Sequence, residues 1–204
     1  MPGASADIDR LVEERRAWSP DAVRAELAAL EPLPDQGDPG WGGDDTVGRA
    51  ELLAAHLELL TASAAGVESI EVALSKLGIG DPGGRLRGPM SRLVAACAPD
   101  ERVALLAREL RVGPPGARWW AAHALGRLAD PDTVPLLFSR LSDPVPAVGD
   151  AVCDALLLVA TTDPEVRVPL RETLTEIISG GGPLVAAAAR TRVALDALER
   201  GAGS

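Results

Sequence analysis

Apolar residues recur at helical spacing along most of this chain, and between residues 103 and 160 the pattern repeats with a period of 31. Residues 103–129 align with 134–160 without a gap, and each copy contains a helix, a short turn with proline, and a second helix. A helix pair repeated every 20 to about 50 residues is typical of an α-solenoid. The pattern therefore predicts an all-α fold, a right-handed α-solenoid of short antiparallel helix pairs.

The apolar stripes fall at equivalent positions in the two copies. In the first helices they occupy i, i+3, i+4 and i+7: Val103, Leu106, Ala107 and Leu110, then Val134, Leu137, Phe138 and Leu141. In the second helices they comprise Ala117, Trp120, Ala121, Ala124, Leu125 and Leu128, then Val148, Ala151, Val152, Ala155, Leu156 and Val159. We expect Ala124 and Ala155 to lie where neighbouring helices come close, so that larger side chains would overpack these positions.

Less regular helices are predicted on both sides of these repeats, at 19–30, 44–63, 66–78, 83–98, 163–178 and 182–201. Ser19 is expected to cap the first of them with Pro20 at its first position, and an aspartate is available to cap 44–63. Residues 31–45 are rich in Pro, Gly and Asp, which predicts a loop long enough to be a linker or a binding loop.

These elements predict two parts. Residues 1–47 form an acidic helical segment and loop, and residues 48–201 form the repeat array. Within the array the clearest repeats are 99–129 and 130–161, and the pairs at 66–98 and 162–201 are expected to act as caps.

The central segment, ARWWAAHALGRLADPDTVPLLFSRLSD, resembles the short HEAT repeats of the bacterial phycobilisome-lyase type. Asp130-Pro131 and Asp143-Pro144 stand where that family turns between helices, and proline suits a helix start. The resemblance covers about residues 99–161. The family usually has an arginine at the position where this chain has Gly149. It implies the architecture and no activity, because HEAT repeats serve many functions.

The net charge of −10 is uneven, since residues 1–50 carry eleven acids and five bases. Such a charge disfavours nucleic acid and anionic membrane surfaces as partners, while a basic protein is allowed. The N-terminus lacks the pattern of a signal peptide and no apolar run is long enough to span a bilayer, which predicts a cytoplasmic protein. Nineteen arginines against one lysine suggest a bacterial gene. Cys97 and Cys153 are expected to be small core residues.

No set of residues indicates catalysis or a cofactor. His56 and His123 are the only histidines, and neither has a partner at zinc-binding spacing. The His-Glu pairs of the di-iron HEAT proteins are missing, because Leu57 and Ala124 follow the two histidines. The glycines of 78–88 lack the Lys-Ser/Thr of a phosphate loop and predict a turn between helices. We therefore expect no catalytic, metal or cofactor residues.

Two adjacent tryptophans occupy the helix at 117–128. Trp120 belongs to the apolar stripe and is predicted to fill space between helices. Trp119 falls on the other side with His123 and Arg127, and one repeat later the equivalent positions are Asp150, Asp154 and Leu158. Second helices line the concave face of a HEAT array, so the predicted partner-binding residues are Trp119, His123, Arg127, Asp150 and Asp154. Alternatively, Trp119 covers a neighbouring helix.

Three functions fit this sequence. The first is a non-enzymatic HEAT-repeat scaffold or adaptor that binds a protein or peptide through its concave face. The second is a lyase-like enzyme or accessory subunit that holds a small planar ligand against Trp119 and His123. The third is an immunity-type inhibitor whose acidic surface masks a basic toxin.

Overall fold

The fold is all-α in the part of the chain that the computed structural model describes, residues 4–63 and 66–202, and no strand occurs there. Met1–Gly3, the start of the predicted N-terminal segment, lie outside the described residues. The helices are α1 (Ala4–Arg15), α2 (Pro20–Ala29), α3 (Asp44–Ala62), α4 (Val67–Leu74), α5 (Arg87–Ala96), α6 (Pro99–Val112), α7 (Pro115–Leu128), α8 (Val134–Arg140), α9 (Pro146–Thr162), α10 (Arg167–Gly180) and α11 (Val185–Ala202). These bounds follow the periodicity of the sequence closely. Helix α1 lies in the N-terminal segment that was expected to be helical, although the sequence analysis gave no bounds for a helix there.

The chain divides into two compact units, Met1–Leu105 and Leu106–Ser204. In the first unit α3 is the central helix, and α1, α2, α4 and α5 all pack against it. Its leucines Leu53, Leu57 and Leu60 are almost completely buried. The division after residue 105 differs from the predicted one after residue 47, because α1 and α2 pack directly on α3.

The loop before α3 is tied to the first unit by hydrogen bonds. The backbone N–H groups of Leu33 and Gln36 donate to the carbonyls of Lys76 and Ile79, and the Asp35 carboxylate accepts a bond of 2.6 Å from the Ile79 N–H. Because the backbone groups of the loop find partners at 76–79, the loop is a structural element of this unit.

Two of the predicted turns and caps are confirmed and one is corrected. Ser19 caps α2 by accepting a bond from the Ala22 N–H. The 78–88 run is a turn between helices, in which the Asp81 carboxylate accepts from two N–H groups at the start of α5. The cap of α3 is Gly43, with no side-chain bond, so the expectation of an aspartate cap was wrong. Asp44 and Asp45 lie instead in the first turn, where a negative charge suits the helix dipole.

In the second unit the second helices form one packed layer, in which α9 lies against both α7 and α11. The first helices α8 and α10 pack on α9 and α11 respectively. All six predicted stripe positions of α9 are buried, and four of those of α7 are buried as well. Ala124 and Leu128 are only half-buried.

The helices α7 and α9 approach each other closely at Gly126. A Cβ atom built on Gly126 would lie 2.5 Å from the Cα of Ala155. Ala155 is therefore the close-packed residue that the sequence predicts, but its neighbour is Gly126 and not Ala124. The position of α7 that meets Ala155 therefore lies two residues after the predicted one, because the absence of a side chain at Gly126 lets the backbones approach there.

Packing also explains why Gly149 has no side chain. A Cβ atom at this position would lie 2.7 Å from a methyl carbon of Leu184, which precedes α11. Leu184 therefore occupies the space into which a side chain at 149 would extend. In the preceding repeat the equivalent residue is Arg118, whose guanidinium binds the buried carboxylate of Asp143 through two bonds of 2.9 Å.

Both cysteines are free and buried, as predicted. None of the helices in the described residues combines the length and the apolar character needed to cross a membrane.

Candidate functional site

The predicted site begins on α7, which is buried over most of its circumference. Its buried residues are Gly116, Ala117, Trp119, Trp120, Ala121, Ala122, Leu125 and Gly126. A helix that is apolar or small on nearly every side is typical of a protein interior. The amphipathic pattern that separates an inner from an outer face is therefore weak in α7.

Trp119 is only 8% exposed, so the prediction that its ring lies on an open face was wrong. The ring packs edge-on against Trp120, at 5.1 Å between centroids, and against His123 at 4.2 Å. Edge-to-face contacts at these distances stabilise aromatic pairs beyond their buried area. Trp119 is a packing residue in this structure, as is Trp120.

The remaining α7 residues of the predicted site are closer to solvent. His123 is half-buried under the ring of Trp119, and Arg127 is exposed one turn further along. The structure thus places Trp119 and His123 in contact, with the Trp119 ring buried and the His123 ring partly exposed to solvent.

The α9 part of the site lies on the outer side of that helix. Asp150 is half-buried, Asp154 is exposed, and Leu158 is 41% exposed. Residues four apart on a helix are neighbours, so these three side chains form one row. The row places an exposed leucine beside two carboxylates.

Two residues of α11 that the sequence analysis missed extend this surface. Arg190 is exposed and its guanidinium lies 3.7 Å from the Asp150 carboxylate. Val193, three residues on, is 66% exposed. The available signal was an apolar residue outside the stripe of the 182–201 helix, which is a weak indication because single exposed valines are common.

Cys153 lies beneath this row, and its thiol is unreactive. Burial raises the pKa of its thiol to about 11, and the carboxylates of Asp150 and Asp154 act in the same direction. A thiol with so high a pKa is protonated at neutral pH and is a poor nucleophile. Cys153 is therefore a packing residue, and burial raises the pKa of Cys97 as well.

The second histidine, His56, is completely buried in the first unit. Its Nδ1 lies 2.7 Å from the Leu52 carbonyl oxygen and its Nε2 lies 3.2 Å from Glu26 Oε2. Within the described residues no three His, Cys, Asp or Glu side chains are grouped so that they could hold a metal ion.

Comparison with known protein families gives a match to part of the chain. Residues 103–178 match the family model for HEAT repeats. This segment is therefore similar to HEAT repeats. With the paired helices, the match confirms the predicted solenoid class of fold. No curated protein and no solved structure matches the chain. The match is to HEAT repeats in general, so the finer resemblance to the phycobilisome-lyase type stays a prediction.

Proposed function

We propose that the protein is a non-enzymatic scaffold that binds a protein or peptide through the solvent-facing sides of α7, α9 and α11. We call this the second-helix surface and define it by His123, Arg127, Asp150, Asp154, Leu158, Arg190 and Val193. HEAT repeats commonly serve as protein-interaction scaffolds, and the HEAT-like segment contains five of these seven residues.

The observation that carries the proposal is the exposure of Leu158 and Val193 among charged side chains. Leu158 lies in the row of Asp150 and Asp154, and Val193 follows Arg190 on the neighbouring helix. Apolar side chains within a polar rim are the usual composition of a protein interface. Trp119 is not part of this surface, because its ring is buried.

The other two hypotheses differ in their support. A basic toxin as partner is the special case in which Asp150 and Asp154 supply much of the recognition, and the net charge of −10 favours it. A small planar ligand has no such support, because a ring with 8% exposure offers little face for stacking.

Site-specific photo-crosslinking in the source cells tests the proposal. A photoreactive amino acid replaces Leu158, and a matched control carries it at Val168, which is 57% exposed but lies on the first helix α10. We expect a discrete crosslinked protein from position 158 and none from 168. In the same strain Asp154→Arg should reduce the yield if the partner is basic.

Equal products from the two positions, or no product from position 158, would contradict the proposal. Circular dichroism of each purified variant checks that the helices remain intact.

A further inference from the structure

A groove in the first unit lies apart from the second-helix surface. It is a depression of about 460 Å³, a size in the range of ligand-binding clefts. It lies between the second half of α1, the start of α2 and the end of α3. Its walls are formed by Asp9, Val12, Glu13, Arg16, Trp18, Pro20, Val23, Leu59, Ala62 and Ser63.

The floor of the groove is apolar and one wall is aromatic. Val23 is buried, Val12 and Leu59 are half-buried, and Trp18 is 42% exposed. The guanidinium carbon of Arg15 lies 5.3 Å from the Trp18 ring centroid, which holds the indole in place. A tryptophan presented in this way, beside an apolar floor, is characteristic of the anchoring residues of protein interfaces.

The N-terminal segment that forms most of the groove carries a net negative charge. The charged residues in the lining are Asp9, Glu13 and Arg16, and the Arg16 guanidinium lies 3.2 Å from the Glu13 carboxylate. Each of the five arginines of residues 1–50 is within 3.8 Å of a carboxylate in the same segment. Since these arginines are matched internally and the segment carries eleven acids, a net negative charge of six remains. Such a field attracts cationic partners and repels acidic ones.

We propose that this groove, which we call the Trp18 groove, is a docking site for a basic amphipathic segment of a partner protein. One apolar side chain of that segment enters beside Trp18 and contacts Val12 and Leu59. Its lysine or arginine side chains lie beside the carboxylates of Asp9 and Glu13, within the negative field of the N-terminal segment. This site is independent of the second-helix surface, and its existence does not rest on the function proposed for that surface.

Fluorescence anisotropy of a labelled probe peptide tests the proposal. The probe is an amphipathic peptide of lysine and leucine, about twelve residues long, and the comparison peptide has glutamate in place of lysine. We expect saturable binding of the lysine peptide that weakens with added salt, and no binding of the glutamate peptide. Trp18→Ala should weaken the lysine peptide by about tenfold or more.

A second variant and a control keep the test independent of folding. Ala62→Trp fills the groove from an exposed position without removing any contact, and it should weaken binding as Trp18→Ala does. Val168→Ala, at an exposed position of α10 outside both surfaces, should leave the affinity unchanged.

The proposal is overturned if the lysine peptide does not bind, if the glutamate peptide binds equally well, or if neither groove variant weakens binding. It is also overturned if Val168→Ala weakens binding as much as Trp18→Ala. Crosslinking from position 158 in an Ala62→Trp background separates the two sites, since a block of the groove should not change that product.

Discussion

Replacing Gly126 by alanine should destabilise the protein, although alanine is the better helix former. A Cβ atom at this position would lie 2.5 Å from the Cα of Ala155, 2.7 Å from its Cβ and 3.2 Å from its carbonyl oxygen. Two of these three atoms belong to the backbone of α9, so no side-chain rotation can relieve the contact. The two helices must move apart.

Two opposing effects set the magnitude. Exchange of glycine for alanine inside a helix contributes about 1 kcal/mol of stability. Overpacking of a close-packed interior typically costs about 1–3 kcal/mol, and a clash with buried backbone belongs at the upper end of that range. We therefore expect Gly126→Ala to lower the free energy of unfolding by about 1–2 kcal/mol.

Gly48→Ala is the matched control. Gly48 lies inside α3, is exposed, and would place its new Cβ in open space with nothing within 4 Å. Only the helix-propensity effect applies there, so this variant should gain about 0.5–1 kcal/mol. The two substitutions are chemically identical, and the opposite signs expected for them isolate the contact with Ala155.

Urea unfolding supplies the measurement. Far-ultraviolet circular dichroism follows the helices, and tryptophan fluorescence reports on all four tryptophans, of which Trp119 and Trp120 lie in α7. If Gly126→Ala is as stable as the wild type or more so while Gly48→Ala gains stability, α7 and α9 do not approach each other at Gly126. The inferred register of the second helices would then be incorrect.

Three other predictions concern the second unit. Trp120→Ala and Trp119→Ala should both lower the free energy of unfolding, since both rings are buried. The expected loss for Trp120→Ala is about 3–5 kcal/mol. An unchanged melting temperature for Trp119→Ala would show that its ring is exposed. Arg118→Met should cost about 3–5 kcal/mol in urea unfolding, because it leaves the carboxylate of Asp143 buried without its cation, and pairing it with Asp143→Leu should restore part of that loss. Because the pKa of the Cys153 thiol is raised to about 11, its contribution to stability is present below about pH 9 and is lost as the pH rises towards 11. Cys153→Ser should flatten this alkaline decline in pH-dependent urea unfolding, and an identical decline in both proteins would assign it to other groups.

The periodicity of the sequence was sufficient to predict most helices because apolar spacing reports directly on which side of a helix is buried. It failed on α7, where Trp119 and Ala122 add a second buried side to the stripe that contains Trp120. A stripe predicts one buried face and cannot indicate that the opposite face is also covered. Trp119 was therefore placed in solvent by a rule that suits amphipathic helices only.

Glycines account for the other differences. Gly126 and Gly149 contribute nothing to an apolar pattern, yet the structure shows that each makes space for a neighbour, Ala155 and Leu184 respectively. Close approach depends on the partner helix, whose position a single sequence does not specify. The Trp18 groove was missed for the same reason, since its walls come from three separate helices whose relative positions a single sequence does not specify.

The contrast between Arg118 and Gly149 bears on how such an array can change in length. At one junction between successive repeats, Arg118 forms an ion pair with Asp143. At the next junction, the side chain of Leu184 packs against Gly149. A duplicated copy of residues 130–160 would place a glycine where an arginine is needed to meet the aspartate of the following copy. That aspartate would be buried without its cation, at a cost of several kcal/mol. The helix pairs are therefore not interchangeable modules, and growth by duplication would require a compensating arginine at the new junction.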